Sequence, residues 1–185
     1  MTGQIMNSLH LDDEDFAIVG LSAPERLTFR EFHASMNPRM MHTACYAGFY
    51  YRLSVHQDKL TLLELVLCTE DDVFEPINQI EPVIQRDVGH YLNINLPLSF
   101  SGKIRVGGKF IHGMYDHMGY QHFTRYEKVL DLVFFSGILS SCVDISSRVA
   151  LAREKLNSKS QTNTLGYSDR IREIEQSFSL QLEDD

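Results

Sequence analysis

The chain has 185 residues, of which 43% are hydrophobic and 23% charged, and its formal net charge is −8 at neutral pH. This length and balance are typical of one globular domain that buries a core without disulfides or structural metal. The acidity argues against the basic surface with which proteins bind nucleic acids or anionic membranes, so we expect neither as a partner.

The negative charge is concentrated in two segments. Residues 1–24 contain four consecutive acidic residues at 12–15 and no Lys or Arg, and residues 70–87 contain six acidic residues against Arg86 alone. We interpret residues 1–24 as an acidic N-terminal segment and expect its first fifteen residues to be loosely docked. Such a charge distribution attracts a basic protein partner.

Apolar alternation predicts strands through the first two thirds of the chain. The segment ERLTFREFHAS (25–35) predicts one half-buried strand. The segment CYAGFYYRLSVHQDKLTLLELVLC (45–68) predicts a β-hairpin that turns at Gln57 and Asp58. The acidic stretch 69–98 contains three prolines and predicts a long connection with one short helical turn.

Two further hairpins are predicted beyond residue 100. Gly107 and Gly108 in GKIRVGGKF are typical of a tight turn, and RYEKVLDLVFFSGILSSCVDI (125–145) predicts a hairpin around Ser136 and Gly137. Six apolar residues of the strands are expected in the core: Leu53, Val55, Leu65, Leu130, Leu132 and Val143.

The apolar period changes from two to between three and four after residue 144. Ile145, Val149, Ala152 and Leu156 predict a helix that begins at Ser146 or Ser147. A polar linker, NSKSQTNT, then leads to a second predicted helix capped by Ser168. Its narrow apolar stripe requires a partner surface, and we expect a homodimer through this C-terminal helix as one way to cover it. The stripe consists of Ile171, Ile174, Phe178 and Leu182.

These elements predict an α+β fold built mainly on an antiparallel β-sheet, with curling into a partial barrel as one form of that sheet. The predicted β domain spans residues 25–146, and the helical tail with its polar linker spans residues 147–185. The three cysteines form no CxxC pair and lie in apolar surroundings, which indicates buried, reduced thiols. Residues 1–16 lack the features of a secretory signal, so we expect a cytoplasmic protein.

The segment HGMYDHMGYQH (112–122) is the richest in groups capable of chemistry. Its three histidines are spaced by five, so neither a helix nor a strand brings them to one face, and we expect no metal and no cofactor. Two interpretations remain open. In one, the segment is a structured turn in which the His117 ring bonds a backbone carbonyl. In the other, it is the rim of a ligand or partner site formed by His117, Tyr120, Tyr115, Tyr51 and Arg52.

Three segments in order, YAGFYYRLSVHQDKLTLLEL, FSGKIRVGGKFIHGMYDHMGY and YEKVLDLVFFSGIL, resemble a family of small uncharacterised bacterial proteins. That family has an aromatic-rich hairpin, a Y-x-HMGY turn and a closing hairpin. The chain departs from its pattern at Tyr51, where the family tends to have Trp, and at Asp116, where an aliphatic residue is expected. The resemblance implies a cytosolic β-rich fold and draws attention to residues 117–120, but it supplies no catalytic residues.

The sequence contains neither a G-x-S-x-G nucleophile motif nor a Walker-type phosphate loop, which favours a protein without enzymatic activity. We therefore expect a cytosolic binding module, of the immunity or regulatory type, that contacts a basic protein partner. The alternative is a pocket in a curled sheet, centred on His117 and nearby tyrosines, that binds or hydrolyses a small ligand. In that pocket Asp116 or Glu127 would orient His117 as a base.

Overall fold

The computed structural model of the protein describes residues 2–22, 32 and 35–158. One short 3-10 turn, His112–Met114, begins the histidine-rich segment, and a second, Phe123–Arg125, follows it. The strands and the helix within the described residues are β1 (Ser8–Leu11), β2 (Glu14–Leu21), β3 (Phe49–His56), β4 (Lys59–Leu67), β5 (Val83–Gln85), β6 (Val88–Tyr91), β7 (Leu96–Pro97), β8 (Gly102–Phe110), β9 (Tyr126–Phe135), β10 (Ile138–Asp144) and α1 (Ser146–Ser158).

The strands form one mixed sheet in the order β10-β9-β8-β2-β1-β3-β4-β6-β5, with β7 paired to β4. Neighbours are antiparallel except for β1 and β3, which are parallel. The sheet turns back on itself, since Ile138 of β10 pairs with Lys59 of β4 and closes the strands into a ring. The expectation of a mainly β-sheet protein is therefore confirmed, with one helix in the described residues.

The two hairpins predicted at 45–68 and 125–145 are present, and their tips meet. Both residues of each turn, Gln57–Asp58 and Ser136–Gly137, have positive φ, as two-residue hairpin turns require. The amide of Leu60 donates to the Gly137 carbonyl at 2.8 Å, and the amide of Leu139 donates to the Asp58 carbonyl at 2.7 Å. These bonds hold the first hairpin against the second where the ring closes.

The expectation that residues 1–15 are loosely docked is wrong. Strand β1 lies between β2 and β3 in the middle of the sheet, and Leu9 is completely buried. Leu11 and Phe16 are also buried, whereas the acidic residues 12–15 between them are exposed. The sequence did not reveal the two core strands on either side of this turn, because the acidic residues 12–15 interrupt short apolar segments.

Two expectations for residues 69–110 also need correction. The long connection contains the small hairpin β5–β6 with a two-residue turn at Arg86 and Asp87, where both φ values are positive. Gly107 and Gly108 do not form a turn, since β8 runs straight through them. A Cβ at Gly107 would lie 2.5 Å from the Tyr126 ring, so this glycine makes room for an aromatic side chain on the neighbouring strand.

The main core fills the space enclosed by the ring. Of the six predicted core residues, Leu53, Leu65, Leu130 and Leu132 are buried, and Val55 is partly buried against the same cluster. Val143 is 50% exposed, so its prediction was wrong, because residues 140–144 of β10 are all exposed.

Helix α1 covers the outer side of the sheet, and its start at Ser146 confirms the predicted position. The amide of Ser146 donates to the Asp144 carboxylate at 2.8 Å, so Asp144 satisfies one of the amides at the start of the helix. The predicted stripe of Ile145, Val149 and Ala152 packs in a second, smaller core with Phe123, Tyr126 and Val129.

Two predictions fall outside the described residues. The strand at 25–35 does so except for Phe32 and Ser35, and the second tail helix does so completely. The homodimer through that helix therefore stays a prediction. None of the described helical segments is long and apolar enough to cross a membrane.

Leu132 offers a direct test of the core. It is completely buried at the centre of β9, so replacement by Ala leaves a cavity and should lower the free energy of unfolding by about 2–5 kcal/mol. Urea denaturation measures the loss. Val143→Ala, on the exposed strand β10, is the matched control and should change stability by less than about 0.5 kcal/mol. Equal losses in the two variants would contradict the assignment of an inside and an outside to this hairpin.

Candidate functional site

The loop formed by residues 112–122 is held by Gln121, which is buried. Its side-chain amide nitrogen donates to the Asp116 carbonyl at 2.7 Å, and its side-chain oxygen accepts from the Asp116 amide at 2.9 Å. Both carboxylate oxygens of Asp116 in turn accept from the Arg125 guanidinium at 3.2 Å. The shape of the loop is therefore fixed by two hydrogen bonds from the Gln121 side chain to the Asp116 backbone and by the ion pair of Asp116 with Arg125.

The N-terminal segment ties this loop to the entry of β3. The amide of Gln4 donates to the Gly119 carbonyl at 2.8 Å, and the amide of Ile5 donates to the Ala44 carbonyl at the same distance. Gly119 has a φ of +71°, a backbone conformation that glycine adopts without strain. Residues 3–5 thus connect two loops that lie far apart in the sequence.

The far end of the loop is anchored by aromatic and charged groups. The His122 imidazole bonds Thr124 and caps the second 3-10 turn, and burial lowers the pKa of His122 to about 4. Neighbouring Phe123 lies over the Arg105 guanidinium, which forms a buried bidentate pair with Asp131 at 2.6 and 2.8 Å. His122 is therefore neutral at physiological pH, and its role is to hold the turn.

A pocket of about 430 Å³ lies between the loop, the N-terminal segment and the adjoining ends of β2 and β3. Its apolar wall contains aliphatic residues of β2 and two aromatic residues of β3. The polar groups come from Asn7, which precedes β1, and from Tyr120 and Gln121 of the loop. The residues that line it are Met6, Asn7, Ile18, Val19, Gly20, Leu21, Ala47, Phe49, Tyr51, Tyr120 and Gln121. None of these is charged, in a protein whose net charge is −8.

Two tyrosines from distant parts of the chain meet at this pocket. Tyr51 is buried, and desolvation raises its pKa to about 12; Tyr120 is 58% exposed, and partial burial raises its pKa as well. Both phenols stay protonated at physiological pH and can donate hydrogen bonds. The Asn7 side-chain oxygen accepts from the Tyr51 amide at 3.1 Å, which fixes one polar residue beside the buried tyrosine.

The five residues proposed from sequence do not form one site. Tyr51 and Tyr120 line the pocket together, whereas His117 is exposed and packs edge-on against Tyr115 at 5.1 Å, on a part of the loop outside the lining. Arg52 points to the opposite side of β3 from Tyr51, where its guanidinium lies 2.6 Å from Asp15. The backbone bonds expected of His117 are made by Gln121 instead.

Sequence reasoning missed most of the pocket. Asn7, Ile18 and Leu21 belong to residues 1–24, which were placed outside the predicted β domain, and Gln121 has no motif around it. The one usable signal was the continuous apolar run at residues 16–21 after the acidic turn, which is consistent with a buried strand.

The described residues hold no group of three or more His, Cys, Asp or Glu side chains placed to bind a metal ion. Burial raises the pKa of the Cys45 thiol, close to the pocket, so it is not an activated thiolate. No family model, curated protein or solved structure matches this chain. The pocket is an uncharged, mainly apolar concavity with phenol and amide groups at its edge.

The role of Gln121 can be measured against that of His117. Gln121→Ala removes two hydrogen bonds from a buried position and should lower the free energy of unfolding by about 1–3 kcal/mol. His117→Ala changes an exposed residue and should cost less than about 0.5 kcal/mol. Chemical denaturation of both variants makes the comparison. A larger loss for His117→Ala than for Gln121→Ala would show that the histidine, and not the glutamine, holds the loop.

Proposed function

We propose that this protein binds a small, uncharged and largely apolar ligand in the pocket between β2, β3 and the loop 112–122. One observation carries the proposal: a cavity of about 430 Å³ with apolar walls and a few convergent polar groups. Small-molecule sites in proteins usually have volumes of about 300–1,000 Å³ and this same composition.

The lining indicates the chemistry of the ligand. Ile18, Leu21 and Phe49 offer apolar contacts, and they favour a hydrocarbon or aromatic body. Tyr120 and Asn7 can form hydrogen bonds with a neutral carbonyl, hydroxyl or amide group. A charged ligand would lose hydration without gaining an ionic partner among the lining residues, so a neutral ligand is favoured.

Binding is favoured over hydrolysis as the function of this pocket. The hydrolytic alternative required His117 as a base beside the tyrosines, but that imidazole is exposed outside the pocket lining. Asp116, one of the residues expected to orient it, is engaged by Arg125.

The binding of a basic protein partner is a second candidate function. The observation that favours it is the position of the acidic β1–β2 turn, where Asp12, Asp13 and Glu14 are exposed close to Lys128 of β9 and to strand β10. Lys128 is already paired with Glu14 at 2.6 Å, so the remaining carboxylates keep this side of the protein acidic. A basic partner would be attracted to it.

The ligand proposal predicts that Nile red, a neutral apolar dye, binds at the pocket with a rise in fluorescence. Ala47→Phe places a ring in the pocket and should weaken dye binding at least about tenfold, a difference of about 1.4 kcal/mol. Leu151→Phe, on the exposed side of α1, is the matched control and should leave binding unchanged. Thermal unfolding confirms that both variants are folded. Equal affinity of the dye for both variants would overturn the proposal.

A further inference from the structure

Within the described part of the chain, strand β10 has an open edge. It pairs with β9 along its length, but among the described residues its other edge is engaged only at its start, by Ile138 with Lys59 and by the Leu139 amide with Asp58. The Ile145 amide donates to Val129 of β9, so by alternation the amides of Cys142 and Asp144 point away from β9. Residues 140–144 therefore present backbone donors and acceptors that a further strand could use.

The same stretch is exposed on both faces as well as at its edge. Ser140, Ser141, Cys142, Val143 and Asp144 are all exposed, whereas neighbouring β9 is largely buried. Proteins usually protect such an edge with lysine, proline or a bulge. Here the one bulge lies between Leu139 and Ser141, and the stretch beyond it pairs regularly and contains neither lysine nor proline.

Two carboxylates, those of Asp12 and Asp144, and one cation, Lys128, act on Cys142 in the open strand. Burial raises the pKa of the Cys142 thiol most, the negative charges of Asp12 and Asp144 raise it further, and the positive charge of Lys128 lowers it. Asp144 lies in β10 itself, whereas β2, which follows Asp12, is separated from β10 by β8 and β9. Asp144 is at the end of the strand, and Asp12 and Asp13 form the exposed turn between β1 and β2. A basic segment that followed this edge would have Asp144 beside it and would also be attracted by the negative charge of Asp12, which acts on Cys142.

We propose that an extended, positively charged segment of a partner protein binds by adding a strand to the open edge of β10, where Asp144 and the negative charge of the acidic β1–β2 turn attract its basic side chains. This inference rests on the second candidate function and names the surface and the conformation of the partner. Backbone hydrogen bonds to Cys142 and Asp144 supply affinity, and the carboxylates select for positive charge. A second copy of this chain is a poorer fit, since it carries a net charge of −8 and would bring a second set of carboxylates to the same edge.

The test uses the full chain and a short synthetic peptide in which Lys and Thr alternate, with a Glu and Thr peptide of equal length as control. Hydrogen–deuterium exchange is followed at the amides of Cys142 and Asp144. These amides should exchange rapidly in the free protein and become protected when the basic peptide binds, and the acidic peptide should have no effect. Strong protection in the free protein would overturn the proposal, since the edge would then already be occupied by the chain itself or by a second copy.

Two sets of variants separate the contributions of charge and strand pairing. Asp12→Asn with Asp13→Asn keeps residues that tolerate positive φ, removes two charges, and should weaken the basic peptide roughly threefold to tenfold. Cys142→Pro removes one outward amide and should abolish peptide binding, whereas Cys142→Ala should not.

The outcomes distinguish the inference from the function on which it rests. If the basic peptide binds and the double Asn variant weakens it, but Cys142→Pro and amide exchange show no effect, the acidic surface binds a basic partner without strand addition, and the inference is wrong. If the peptide does not bind at all, both the inference and the second candidate function fail. If Cys142→Pro does not fold, the exchange measurement on the unchanged chain gives the decision.

Discussion

The parallel pairing of β1 with β3 is the contact on which the rest of this structure depends. On one side of β1 lie β2, β8, β9 and β10, and on its other side lie β3, β4, β6 and β5. Among the described residues, the two groups of strands are also joined by the bridge at Ile138, by the hydrogen bonds between the hairpin tips and by the ion pair of Arg52 with Asp15. A four-residue strand with Leu9 fully buried at its centre therefore links the two halves of the core.

The pocket depends on the same segment. Asn7 immediately precedes β1 and bonds both sides of the pocket, because its carbonyl accepts from Ile18 of β2 and its side chain accepts from Tyr51 of β3. Residues 3–5 then fix the loop that contains Tyr120. Residues 3–11 thus both complete the sheet and shape the candidate ligand site. A ligand bound there would contact both groups of strands.

Much of the fold could be predicted where apolar alternation was long and the turn was recognisable. The β9–β10 hairpin was predicted because Ser136–Gly137 interrupts two apolar strands, and the β3–β4 hairpin because Gln57–Asp58 does the same. The β1–β2 and β5–β6 hairpins were missed, although their turns at Asp12–Asp13 and Arg86–Asp87 have the same pair of positive φ values. Their strands are short, and the dense charge around them is more typical of loops than of a sheet.

The site was predicted in part for a related reason. Tyr51 and Tyr120 were singled out as amphipathic aromatics, and the structure brings them together at the pocket. His117 was proposed because imidazole can act as a base. Its position depends on the loop shape that the Gln121 hydrogen bonds fix, and no sequence motif marks Gln121. The parallel contact that brings Asn7 to Tyr51 joins residues 44 positions apart, and local periodicity has no information about such a pairing.

Native-state hydrogen exchange at the amides of residues 8–11 tests most directly whether β1 joins the two halves of the sheet. If it does, these amides exchange only on global unfolding, with protection equal to that of the amides of β9. The contrary result would be fast exchange in β1 while β9 stays protected. In that case β1 would open independently of the rest of the sheet, and neither the closed ring nor the pocket could depend on it.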